Sequence, residues 1–135
     1  MKVYLVAGEP SGDKLGAELM AGLKSCAAYE LDFHGVGGPL MEEQGLTSLF
    51  PITEIAVMGI GEILAKYIFL KKRIKNTVDD ILRLKPDVLI TIDAPEFSLR
   101  VAKMVRKKLF INTIHYVAPT VWAWRPNRAK KFLVM

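Results

Sequence analysis

Four short strings of this chain hold the residue types that could do chemistry. The first is Gly8-Glu9-Pro10-Ser11-Gly12-Asp13, where an apolar run gives way to a glycine-rich turn and then to helical spacing. Such a turn points backbone N–H groups and the positive end of a helix at whatever lies above a sheet edge, a site suited to a polyanion or sugar phosphate. The plain alternative is a strand-to-helix turn with Ser11 or Asp13 as the helix N-cap. The spacing is neither a Walker A loop nor GxGxxG. The second string is Gly35-Val36-Gly37-Gly38-Pro39, another tight turn. The third, Asp93-Ala94-Pro95-Glu96-Phe97-Ser98, puts a carboxylate just past a continuous apolar run. That position suits either a catalytic carboxylate or a cap for the next helix. Ser98 can serve as that cap, which would leave Asp93 for chemistry. In the fourth, a β-rich run contains His115, as either a packed core residue or a base, and Trp122, Trp124 and Arg125 follow it. Two indoles and a guanidinium in one loop are costly to leave in water.

These strings need a scaffold that brings them to one edge, and the hydrophobic pattern supplies it. Residues 2–7, 31–36, 88–92 and 111–117 read as strands, with a short one at 47–50 stopped by Pro51. Leu15, Leu19 and Leu23 recur every fourth residue on one helix face. Pro39 suits a first helical position and Gly45 a C′ position, bracketing a short helix. A long helix is expected over 62–84, with Ile63, Tyr67, Leu70, Ile74, Val78 and Ile81 as its core stripe. An amphipathic helix follows at 99–108, and a basic one begins at 127–134. Alternating strands and helices predict a doubly wound α/β domain with about five parallel strands, mainly parallel and Rossmann-like, over residues 1–135. In such a sheet, loops at the carboxyl ends of the strands bind ligands.

Hydrophobic residues make up 51% of the sequence, enough for one core. The lone cysteine, Cys26, excludes an internal disulfide and a cysteine metal cluster and points to a reducing compartment. The N-terminus reads as a strand rather than a signal peptide, and no run approaches the roughly 20 apolar residues of a membrane span. Residues 1–65 carry three lysines against nine carboxylates, a balance of −6, whereas residues 66–135 carry +11. An anionic partner is therefore expected for the second half: nucleic acid, phosphorylated substrate or membrane surface. Nucleic acid is the weakest of these, because no recognition motif accompanies the charge. A dinucleotide dehydrogenase is excluded by the missing fingerprint.

On the long helix, Ile68 and Phe69 fall outside the core stripe, among Lys66, Lys72, Arg73 and Lys75. They mark either an added contact with a loop or protomer, or an apolar wedge with a basic rim that docks on anionic lipid.

Taken together, the strings resemble the lipid-A-disaccharide synthase family. The matching residues are Val6-Ala7-Gly8-Glu9 with Ser11-Gly12-Asp13, the Gly35–Val36 turn through Pro39 with Met41, Val57-Met58-Gly59-Ile60, Lys85-Pro86-Asp87, Ile92-Asp93-Ala94-Pro95, and His115-Tyr116-Val117 with Pro119 and Trp122-Ala123-Trp124-Arg125. The resemblance implies the N-terminal, acceptor-side half of a GT-B glycosyltransferase, without the C-terminal nucleotide-sugar domain. It implies transfer of 2,3-diacylglucosamine from its UDP derivative to 2,3-diacylglucosamine 1-phosphate, giving a β-1,6 disaccharide phosphate and UDP with inversion. No metal or other cofactor is implied. Asp93 takes the position of the base; Gly8, Glu9, Ser11, Gly12, Asp13, Gly37, Gly38, His115, Trp122, Trp124 and Arg125 would line the substrate cleft. Glu96, Ser98 and Pro10 depart mildly from the family pattern. Acylated substrates imply a cytoplasmic protein peripheral to the inner membrane of a Gram-negative-type bacterium, with Ile68, Phe69, Lys66, Lys72 and Arg73 at the lipid. The piece alone is expected to be inactive. A non-catalytic binding remnant of a truncated gene is the competing reading.

Overall fold

The computed structural model describes residues 1–56 and 63–116, so residues 57–61 and 122–125 and the basic helix expected at 127–134 lie outside the described residues. Strands β1 (Lys2–Val6), β2 (Asp32–Val36), β3 (Thr47–Ser48), β4 (Val88–Thr91) and β5 (Asn112–His115) form one sheet in the order β3-β2-β1-β4-β5. Every neighbouring pair is parallel. The chain winds outward from β1 toward β3, then crosses over and winds outward from β4 toward β5. This is the doubly wound Rossmann-like arrangement, and its switch point lies between β1 and β4.

Period-two alternation decides which residues of each strand meet which layer. Val3, Leu5 and Ala7 join Met20 of helix α1 (Pro10–Cys26), Met41 of α2 (Pro39–Glu43) and Ile90 in one cluster. Tyr4, Val6 and Leu89 join Ile74, Val78 and Ile81 of α4 (Ile63–Leu84) with Phe97, Val101 and Val105 of α5 (Pro95–Arg106) in the other. Both faces of β1 and β4 are thus covered, as the apolar composition of parallel strands requires. A four-residue helix, α3 (Thr53–Ala56), precedes the 57–62 stretch.

Two local expectations are revised. The last long helix starts at Pro95, four residues earlier than its apolar spacing indicated, because proline's fixed φ suits the first helical position. The buried stripe of α4 holds Ile74, Val78 and Ile81, with Leu70 half-buried against them, but Tyr67 is 51% exposed. Its ring lies along its own helix beside Lys71, 5.9 Å from the ammonium, rather than against the sheet. The short helix does end as expected: Gly45 has φ +111° just past the Gln44 cap, where a side chain would be strained.

Candidate active site at the sheet switch point

The register pairs Val6 with Val36 on one side and with Thr91 on the other, so the loops after β1, β2 and β4 leave the sheet at one level. Asp93 rises two residues past β4. Neither Asp93 nor Ser98 caps α5 with its side chain. The N-cap is Ala94, held in the left-handed region at φ 47°, and Ser98 Oγ donates back to the Asp93 and Ala94 carbonyls. The Asp93 carboxylate turns instead toward the β1–α1 loop, where the Gly8 N–H donates to Oδ1. Oδ2 is buried and has no hydrogen-bond partner. Burial pushes the Asp93 carboxyl above the ordinary carboxylate range; the backbone N–H groups of Gly8, Glu9 and Gly12 oppose this, and the nearby Glu9 charge adds to it.

The β1–α1 loop departs from the expected cap. The N-cap of α1 is Glu9, whose side chain makes no cap bond, and Pro10 begins the helix. The N-terminus of α1 is met by Asp93 from across the switch point. Gly12 is part of this fit: a Cβ there would collide with the Asp93 carboxylate. The glycine provides space for a close approach rather than an unusual backbone angle. Glu9 and Ser11 are exposed at the lip of the loop.

Asp13, placed by the sequence among cleft residues, is only 4% exposed and has both oxygens occupied. Oδ1 accepts from Gly38 N at 3.0 Å and Met41 N at 2.9 Å, and Oδ2 from Leu40 N at 3.1 Å. A residue of α1 therefore satisfies the free N–H groups at the start of α2, an end that has no side-chain cap of its own. Gly38 is pressed against that carboxylate, and Gly37 N donates to Ser48 Oγ at 3.1 Å. Asp93 and Asp13 between them tie the three loops after β4, β1 and β2 together.

His115, half-buried at the end of β5, is hydrogen-bonded through Nδ1 to Thr91 Oγ1 at 2.7 Å. Thr91 is its register partner on β4 and is fully buried. Sequence reasoning passed over Thr91 as one more β-branched residue in an apolar run. Its place two residues before Asp93, hence on the same side of an extended strand, was the available signal. Trp122, Trp124 and Arg125 lie outside the described residues. Among the described residues no three His, Cys, Asp or Glu side chains are grouped to hold a metal ion.

The apolar wedge on α4 is divided. Ile68 is 59% exposed, whereas Phe69 is half-buried with its ring 5.1 Å from the Arg73 guanidinium. Arg73 also lies 4.9 Å from the Phe50 ring and pairs with Glu54 at 2.6 Å. Phe69 and Arg73 are thus occupied within the domain, and the exposed apolar pair is Tyr67 and Ile68. No described helix is long and apolar enough to cross a membrane.

The family model described as "Lipid-A-disaccharide synthetase" matches residues 3–134. The lipid-A-disaccharide synthase of Ruegeria pomeroyi is 56% identical over 131 residues, covering 97% of this chain and 32% of that protein. The one from Rhodospirillum centenum is 49% identical over 130 residues, covering 96% of this chain and again 32% of the relative. Among solved structures, UDP-GlcNAc 2-epimerase from Neisseria meningitidis, bound to UDP-GlcNAc, superposes with a TM-score of 0.57 at 15% identity, over 98% of this chain and 37% of that one. That likeness bears on the fold alone. The chain spans about a third of the length of the curated relatives it matches. On the match over residues 3–134 and the identity to both relatives, the chain belongs to the lipid-A-disaccharide synthase family.

Proposed function

We propose that these residues form the acceptor-side lobe of a lipid-A-disaccharide synthase of GT-B architecture, with Asp93 as its general base. The observation that carries this reading is the Asp93 carboxylate itself: half-buried at the switch point, turned away from its own helix and held toward the start of α1 by the Gly8 N–H. In the reaction, a hydroxyl of 2,3-diacylglucosamine 1-phosphate attacks the anomeric carbon of UDP-2,3-diacylglucosamine. The bond to UDP breaks on the opposite face, which inverts the centre, and the Asp93 carboxylate takes the hydroxyl proton. A carboxyl group raised by burial is a better proton acceptor than one in water, which suits this role. Glu9 and Ser11 would meet substrate at the lip, with His115 held beside them by Thr91. Asp13, Gly37 and Gly38 would act by holding the loops.

Acylated substrates place the protein on the cytoplasmic face of the inner membrane. Tyr67 and Ile68 would enter the lipid interface, with Lys66, Lys71 and Lys72 near anionic headgroups.

The test joins this chain to the remaining two-thirds of the Ruegeria pomeroyi relative and measures UDP release with both acylated sugars. Turnover is expected in the fusion, and Asp93→Asn should lower it by about 10²–10⁴-fold. Near-parent turnover of the variant would remove Asp93 from the base role. An inactive fusion beside an active relative would favour a non-catalytic binding role instead.

A further inference from the structure

The charge asymmetry along the sequence becomes an asymmetry across the sheet. Helices α1 and α2 cover one face, and their exposed charges are mixed, with Glu18, Glu42 and Glu43 beside Lys14 and Lys24. Helices α4 and α5 cover the other face and pack against each other through one shared cluster. There α4 exposes Lys71, Lys72 and Lys75, while α5 exposes Lys103, Arg106 and, just past its end, Lys107. The exposed carboxylates of the two helices are Asp79 and Glu96, and Glu96 pairs with Arg100 at 3.5 Å. None of the six cations is ion-paired among the described residues. Exposed apolar side chains stand among them on both helices: Tyr67 and Ile68 on α4, Met104 on α5, and the wholly exposed Phe110 beyond it.

We propose that the docking surface for anionic lipid is the whole α4–α5 layer, so that α5 lies against the bilayer beside α4 and the sheet runs roughly along the membrane plane. This rests on the membrane reading given above and extends it to a helix which that reading leaves in solvent. Charge complementarity selects an anionic partner, and the apolar side chains select a bilayer over a nucleic acid. A polyphosphate backbone gains little from Met104 and Phe110, whereas an interfacial layer accepts both. Two adjacent helices of one sign also fit an extended plane of charge better than a single small ligand.

The experiment uses the 135-residue chain and sedimentation with vesicles of phosphatidylcholine alone or mixed with phosphatidylglycerol. Lys103→Gln/Lys107→Gln on α5 is compared with Lys14→Gln/Lys24→Gln on α1, which changes net charge equally, and with Ile68→Ser on α4. Circular dichroism melts accompany each variant, and little change is expected at these exposed positions. Each basic residue near an anionic surface contributes roughly fivefold, so the α5 pair should weaken binding to mixed vesicles by about thirtyfold. The α1 pair should change it by no more than about twofold, since a charge beyond a Debye length is screened. Equal losses from the two lysine pairs would reduce the effect to net charge and overturn the proposal. Loss with Ile68→Ser but none with the α5 pair would confine docking to α4, overturning the extension while leaving the membrane reading intact. No binding of the parent to mixed vesicles would overturn both. Retention of duplex DNA in preference to mixed vesicles, lost in the α5 pair, would replace the bilayer with nucleic acid.

Discussion

The Asp93 carboxylate lies against the Cα of Gly12, in space that any larger residue at position 12 would fill. The two belong to different elements, the loop after β4 and the first turn of α1, and their contact closes the switch point. Gly12→Ala should therefore displace Asp93 or the start of α1, at a cost of about 1–3 kcal/mol, the usual range for overpacking a well-fitted site. Urea unfolding of Gly12→Ala, Asp93→Gly and the double variant measures the coupling. The alanine should cost far less once position 93 is also glycine. Strict additivity would mean that the two residues do not meet.

Asp13 satisfies three N–H groups at the start of α2 from inside the domain. Asp13→Ala leaves those donors buried without partners and should destabilise by about 2–4 kcal/mol. Asp13→Asn keeps one acceptor oxygen and should fall between. Chemical denaturation of both variants decides the matter, and an unchanged midpoint for the alanine would show that the interlock contributes nothing.

Asp93 also makes a prediction about pH. Its carboxyl is raised by burial, so the folded state holds that proton more tightly than the unfolded chain, whose carboxyl titrates near an ordinary value of about 3.9. The stability linked to this proton is greatest below that pH and is lost as pH rises through the folded value. Asp93→Asn removes the dependence. The parent's stability relative to the variant should decline from about pH 4 upward and then level off. Thermal melts across the acid range provide the curve, and a difference that grows with pH would reverse the assignment.

Ile68 and Phe69 should part company when each is changed alone. Ile68→Glu alters an exposed side chain and should leave the melting temperature near the parent's, while weakening sedimentation with anionic vesicles. Phe69→Glu breaks the Arg73 stack, worth about 0.5–2 kcal/mol, and places a carboxylate near the Arg73–Glu54 pair. Its melting temperature should fall. Equal melting temperatures for the two variants would contradict the division of the wedge.

A final expectation concerns the isolated chain. If both lobes build the donor site, these 135 residues incubated with both acylated sugars should release no UDP above background. Turnover proportional to protein concentration would mean that one lobe suffices.

The fold was legible because its determinants are local. Period-two runs, helical stripes and the Pro39 and Gly45 signals each act within one element, and five parallel strands follow from their alternation. The sites were legible as strings because contiguous residues such as Asp93-Ala94-Pro95 stay together in any fold. What each carboxylate does was decided only by tertiary structure. Gly8 meets Asp93 across 85 positions and Asp13 meets Leu40 across 27, contacts that no local pattern encodes. Propensity offers capping of the nearest helix as the plain role for both residues, whereas packing makes each serve an element elsewhere in the chain. The charge split was plain in the sequence as two halves. That the cations of α4 and α5 line one face follows from the crossover: the helices before the switch point cover one side of the sheet, and the described ones after it cover the other.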